Sequence, residues 1–176
     1  MSNARTLANT INSSSQIVVP SGGVNFGTGT DGTGTVTGGV LDDYEEGSFS
    51  LELADSPSGG NVSSTTLNGR YTKIGRQVNF VVPAFNINTA GMNTSSVMHF
   101  RGFPFNCNSS HNGVGTVWCD NIDFSGTNSF LSFLLFVDTN YGYLYSIQDN
   151  SADVGVTISA INNGVADVVI SGFYLV

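Results

Sequence analysis

Four of the chain's thirteen acidic residues crowd one stretch, Leu41-Asp42-Asp43-Tyr44-Glu45-Glu46-Gly47-Ser48-Phe49. Three of its five basic residues follow in Gly69-Arg70-Tyr71-Thr72-Lys73-Ile74-Gly75-Arg76-Gln77-Val78. Paired carboxylates can hydrolyse a glycoside, but such a pair faces one cleft from separate elements. Neighbours on a strand diverge to opposite faces. Asp42, Asp43, Glu45 and Glu46 are therefore read as a docking surface, with Arg70, Lys73 and Arg76 as partners in the same or a neighbouring subunit. Only 10% of the residues are charged, and segregation of the two signs into blocks points to specific pairing. Such pairing fixes register and orientation more than it adds affinity.

A second candidate is aromatic. Tyr141, Tyr143 and Tyr145 alternate along one expected strand, and with Trp118 and nearby Asn and Ser they suit carbohydrate, which both stacks and hydrogen-bonds. The competing role for these rings is a core or subunit-interface layer. Other chemistry finds no pattern. Asp120-Asn121-Ile122-Asp123 and Asp138-Thr139-Asn140 lack the converging ligand spacing of a calcium loop and read as turns. His99, Cys107, His111 and Cys119 lack the short ligand pairs of zinc sites. The Gly-Thr repeats at 27–39 do not form a phosphate loop. No cofactor, metal or catalytic residue is expected, and the chain is read as non-enzymatic.

Composition sets the frame for these residues. The 176-residue chain fits one principal domain, long enough to bury a real core. Its 22 glycines and abundant Ser, Thr, Asn and Val favour strands and turns. A net charge of −8 argues against nucleic-acid binding. No stretch is apolar enough to span a membrane, and residues 1–15 lack the apolar core of a signal peptide. Cytoplasmic synthesis then favours free thiols at Cys107 and Cys119. A disulfide stays conditional on the expected Asn112-Gly113 hairpin. A three-residue loop would set the cysteines opposite each other, and a two-residue loop would put them on opposite faces.

Residues 1–40 read as an extended anchoring arm ending in a Gly/Thr connector with little to bury. Residues 41–176 read as roughly eight to ten short strands with turns between them, the pattern of an antiparallel β-sandwich or jelly roll. The expected strands are 48–53, 69–72, 77–83, 96–101, 115–119, 130–137, 141–147, 154–158 and 165–176. Lys73-Ile74-Gly75 is expected to turn, and Phe103-Pro104-Phe105 to lie at an edge or corner. The 130–137 segment is apolar on both faces, so both should be covered. With the apolar C-terminus, Phe173 to Val176, it predicts more apolar surface than one domain hides, and hence a homotrimer.

Leu41 to Phe49 followed by Gly69 to Val78 resembles the C-terminal module of bacteriophage tail fibre and virion surface fibre proteins, particularly those of aquatic phages. Gly22-Gly23-Val24-Asn25-Phe26, Phe103-Pro104-Phe105 and Ser171-Gly172-Phe173-Tyr174 extend the resemblance from about residue 16 to the end. The pattern departs at Ser50-Leu51, where the family carries Thr-Pro. The resemblance implies a trimeric β-rich module on a virion surface, with loops facing a host receptor. Residues 1–40 would attach it to other virion proteins. Loops 54–66, 84–96 and 106–113 would meet a surface glycan or protein receptor. A capsid decoration protein and a lectin-like module are the alternatives.

Overall fold

The computed structural model describes residues 44–124 and 130–176, and the backbone of 24–25 and 40–41. The chain divides into two compact units, Met1–Tyr44 and Glu45–Val176. In the first, β1 (Val24–Asn25) pairs antiparallel with β2 (Val40–Leu41). The Gly/Thr connector, the rest of the expected arm, and Asp42 and Asp43 lie outside the described residues.

The second unit is all-β and antiparallel. Its strands are β3 (Tyr44–Ala54), β4 (Leu67–Ile74), β5 (Gln77–Ala84), β6 (His99–Arg101), β7 (Gly113–Asp120), β8 (Phe130–Leu135), β9 (Tyr141–Ile147), β10 (Val154–Gly155) and β11 (Asp167–Leu175). A single 3-10 turn, Ile158–Ala160, is the one helical piece among the described residues. The sheet runs β10-β9-β6-β3-β4-β5-β11-β7-β8, and β8 pairs back onto β9. Eight strands thus close a ring, and two facing layers are continuous through the β8–β9 ladder. Closure leaves the long strands without an open edge.

Strict alternation fills the interior. Leu51 and Leu53, Val78, Phe80 and Val82, Phe133 and Leu135, and Val168 and Ile170 all point inward. Phe80, Phe103 and Phe133 form a central aromatic cluster, with ring centroids 5.0 to 5.9 Å apart. Each fully buried ring of this kind contributes about 1.5–3 kcal/mol.

Registers define two ends. Ala54 pairs with His99, Ala84 with Val168, and Asp120 with Asp167 at the upper end. Gln77 pairs with Leu175, Gly113 with Leu135, and Arg101 with Tyr141 at the lower end. Loops 55–66, 85–98 and 156–166 lie at the upper end. The segments 102–112 and 136–140 and the C-terminus lie at the lower end. The chain enters the barrel unit at the lower end too, at Glu45.

Several local expectations change. The β4–β5 turn is Gly75-Arg76 and not Lys73-Ile74-Gly75, because β4 runs two residues further than expected, with Ile74 opposite Gln77 and Gly75 at φ +57°. Positive φ at the first central residue suits glycine and the twist of a two-residue hairpin. The Asn112-Gly113 hairpin does not form. Residues 105–112 are irregular, and β7 takes β11 and β8 as partners instead. Phe103 is not at an edge but buried in the core. Cys107 lies at the lower end, its N–H donating to Thr139, while Cys119 pairs with Val168 at the upper end. Both are free thiols, and the length of β7 between those ends forbids a bridge.

Candidate binding surfaces

The acidic and basic motifs meet as neighbouring strands β3 and β4, and rings over glycines interlock them. The Tyr71 ring lies over Gly47, where a Cβ would come within 2.9 Å of it. The Phe49 ring likewise occupies the space that a Cβ on Gly69 would need. The Phe49 and Tyr71 rings stand 6.1 Å apart, and an aromatic over a cross-strand glycine is a known way to pin register. Tyr71 donates its hydroxyl to the Glu45 carboxylate, which pushes the phenol's pKa up.

The three basic residues part company. Arg70 faces outward and shares a shallow groove of about 700 Å³ with Glu46, Ser48 and Thr72. Lys73 is not in a turn. Because β4 continues to Ile74, it falls on the inward parity of Gly69 and Tyr71 and is buried, with Nζ 5.7 Å from the centre of the Phe105 ring. Arg76 holds the chain end: its Nε donates to the Val176 carbonyl, and the Val176 N–H donates to the Arg76 carbonyl. An ion pair that sequence reasoning missed joins Arg101 to Glu52 at 2.7 Å. Arg101 also donates to the Ser56 and Gly59 carbonyls, fastening the 55–60 loop. Only the i, i+49 strand register brings that pair together.

Tyr141, Tyr143 and Tyr145 project from the outer face of β9, half-buried. The Tyr145 hydroxyl donates to that of Tyr143 at 2.8 Å, and their rings lie 4.8 Å apart. Phe136 and His99 pack on the same row, 4.8 and 5.3 Å from Tyr143. Burial raises the Tyr145 pKa and lowers that of His99. Trp118 is 56% exposed on β7, with β8 between it and the tyrosines. Phe173, Val114, Leu134, Tyr143 and His99 form one continuous cross-strand row. From β5 round to β9 the outward side chains of the strands carry no charge below Asp120 and Asp167 at the upper rim. Among the described residues the second face of the 130–137 segment is only partly covered: Phe130 is 60% exposed, and Ser132 and Leu134 are half-buried.

The upper-end loops are cross-tied. The buried Asp55 carboxylate accepts from the Asn61 N–H, the Asn61 amide and the Asn93 N–H, each at 2.8 Å. The Asn93 and Asn61 bonds hold its pKa below the ordinary value. Ser63 donates to the Asn88 carbonyl, Asn88 N–H donates to Thr65, and Thr89 N–H donates to Asn163. Loops 54–66 and 84–96 thus form one surface, whereas 106–113 lies at the opposite end.

No protein-family model and no curated protein sequence matches the chain. A solved structure shares its fold. It is the crystal structure of the Dettilon tailspike protein (gp208), with a TM-score of 0.54 and 17% identity. The match covers 74% of this chain and 23% of the tailspike, so this chain spans under a quarter of that protein's length. At this identity the likeness is one of fold.

Proposed function

We propose that this chain is a bacteriophage virion surface protein of fibre or spike type. In this reading it assembles as a homotrimer and contacts the host through loops, without catalysis. The observation that carries the reading is the shared fold with a segment of a phage tailspike, in a chain whose paired motifs resemble the fibre module. Residues 1–40 attach it to other virion proteins, and the receptor surface is the upper end, where loops 54–66 and 84–96 are braced together. Segment 106–113 leaves the receptor surface in this reading, because it lies at the end where the chain enters the barrel.

The uncharged outer face supports self-association. Exposed Trp118, Phe130, Phe173 and Val114 on a charge-free strip match the charge depletion of interface cores, and isolated soluble domains rarely carry such a patch. The lectin-like reading draws on the same rings, since Trp118 and the half-buried tyrosines offer stacking surfaces. Immunogold electron microscopy of intact particles tests localisation. Label on an external appendage is expected, and absence from purified particles would end the proposal. Label spread over the capsid, with adsorption intact in its absence, would favour decoration of the shell.

A further inference from the structure

We infer that the upper end carries a binding hollow for a neutral or amino-substituted sugar unit, lying over the paired segments 121–124 and 157–163. The inference deepens the receptor-binding reading and rests on the upper end facing the host. It is a shallow, open hollow of about 580 Å³ with a mainly polar lining. Its floor is fixed by backbone bonds that join the two segments. Ile122 bridges to Ile161, the Asp123 N–H donates to the Ala160 carbonyl at 2.8 Å, and the Asn162 N–H donates to the Asn121 carbonyl at 3.1 Å.

The lining then offers polar groups with capacity to spare. The Asp123 carboxylate and the Asn162 amide carry no side-chain hydrogen bond among the described residues, and both are exposed. Asn163 accepts from the Thr89 N–H through Oδ1, and its two side-chain N–H donors take no partner among the described residues. Ser159 shares one hydrogen bond with Thr157 and keeps further capacity. Acceptors and donors thus sit side by side, as vicinal sugar hydroxyls require, with Ile122 and Ala160 supplying apolar surface. A hollow of about 240 Å³ adjoins it, sharing Asp123, Ser159 and Ala160 and adding the Phe124 ring. A second sugar unit fits there.

Charge selects among sugars. Asp120, Asp123, Asp149, Asp153 and Asp167 all belong to upper-end segments. Arg101, which fastens the upper-end 55–60 loop from β6, is committed to Glu52 and two carbonyls. A uronic or sialic acid would meet like charge at short range, whereas a neutral or amino sugar would not.

Saturation-transfer NMR of the full chain with lactose, N,N′-diacetylchitobiose and 3′-sialyllactose at millimolar concentration tests this. At least one of the first two should bind, and 3′-sialyllactose should bind more weakly. Asp123→Ala and Asn162→Ala should each weaken binding about tenfold or more, with thermal unfolding unchanged because both side chains are exposed. The inference fails if neither neutral probe binds, if only 3′-sialyllactose binds, or if Trp118→Ala abolishes binding while the Asp123 and Asn162 variants retain it. Sugar binding by a protein that gold labelling does not find on particles would leave the binding hollow standing and remove the virion reading.

Discussion

Gly69 shows how much one atom decides in this barrel. The Phe49 ring fills the space above it, so even a small side chain must displace an aromatic packed against the core. Gly69→Val should destabilise the fold by about 1–3 kcal/mol, the usual cost of overpacking, read as a lower urea midpoint with an unchanged slope. Asp55 acts through hydrogen bonds instead. Its pKa in the fold lies below the ordinary 3.8 because the Asn93 and Asn61 groups favour the ionised form. The unfolded chain therefore binds the proton more readily. The stabilisation is complete above 3.8 and is lost as pH falls from there through the lower folded value. Asp55→Asn should lower Tm by several degrees at neutral pH, and its Tm should vary less between pH 4 and 2 than that of the unaltered protein. A parallel pH dependence in both proteins would contradict this assignment.

At the scale of elements, strand partners override local turn signals. Asn112-Gly113 has hairpin chemistry, yet β7 is claimed by β11 over Val114–Asp120 and by β8 over Gly113–Thr116. Asn112 instead accepts from the Val137 N–H, and Asn108 accepts from the Ser110 and His111 N–H groups. The irregular segment is satisfied without a ladder. The two thiols consequently sit at opposite ends in different settings. Cys107 is buried with its Sγ on the His111 carbonyl, whereas Cys119 is partly exposed, and burial raises both pKa values. In a thiol-titration time course Cys119 should react first and Cys107 only on unfolding. Mild oxidation should yield no intramolecular disulfide by mass spectrometry. A bridged monomer would refute the register of β7.

For the whole molecule, the outer face outweighs any single contact. Closing the ring hides one face of every strand and turns the other outward. Between β5 and β9 that outward face is uncharged below the upper rim. Phe130→Lys with Phe173→Lys should therefore convert a trimer to monomers in sedimentation velocity, with the β-sheet circular dichroism kept, because both rings already lie outside the core. Unaltered association in the double variant would move the interface elsewhere. A monomeric unaltered protein would remove the assembly argument outright.

Composition and period-two alternation were enough to specify an all-β antiparallel chain. They located β5, β8, β9 and β11 closely, because alternation is a local property that burial of one face enforces, whereas β3 starts four residues earlier than expected, within the acidic block. The two motifs were read as charge docking, whereas their glycines and aromatics, which interlock the strands as rings over glycines, carried no local signal of that role. The inward parity of Lys73 depended on β4 running two residues past its expected end. The β8–β9 closure, the Arg101–Glu52 pair and the division of the loops between two ends depended on registers linking residues far apart in the chain. Those registers are chosen by packing in three dimensions, where a slip of one residue exchanges the two faces of a strand.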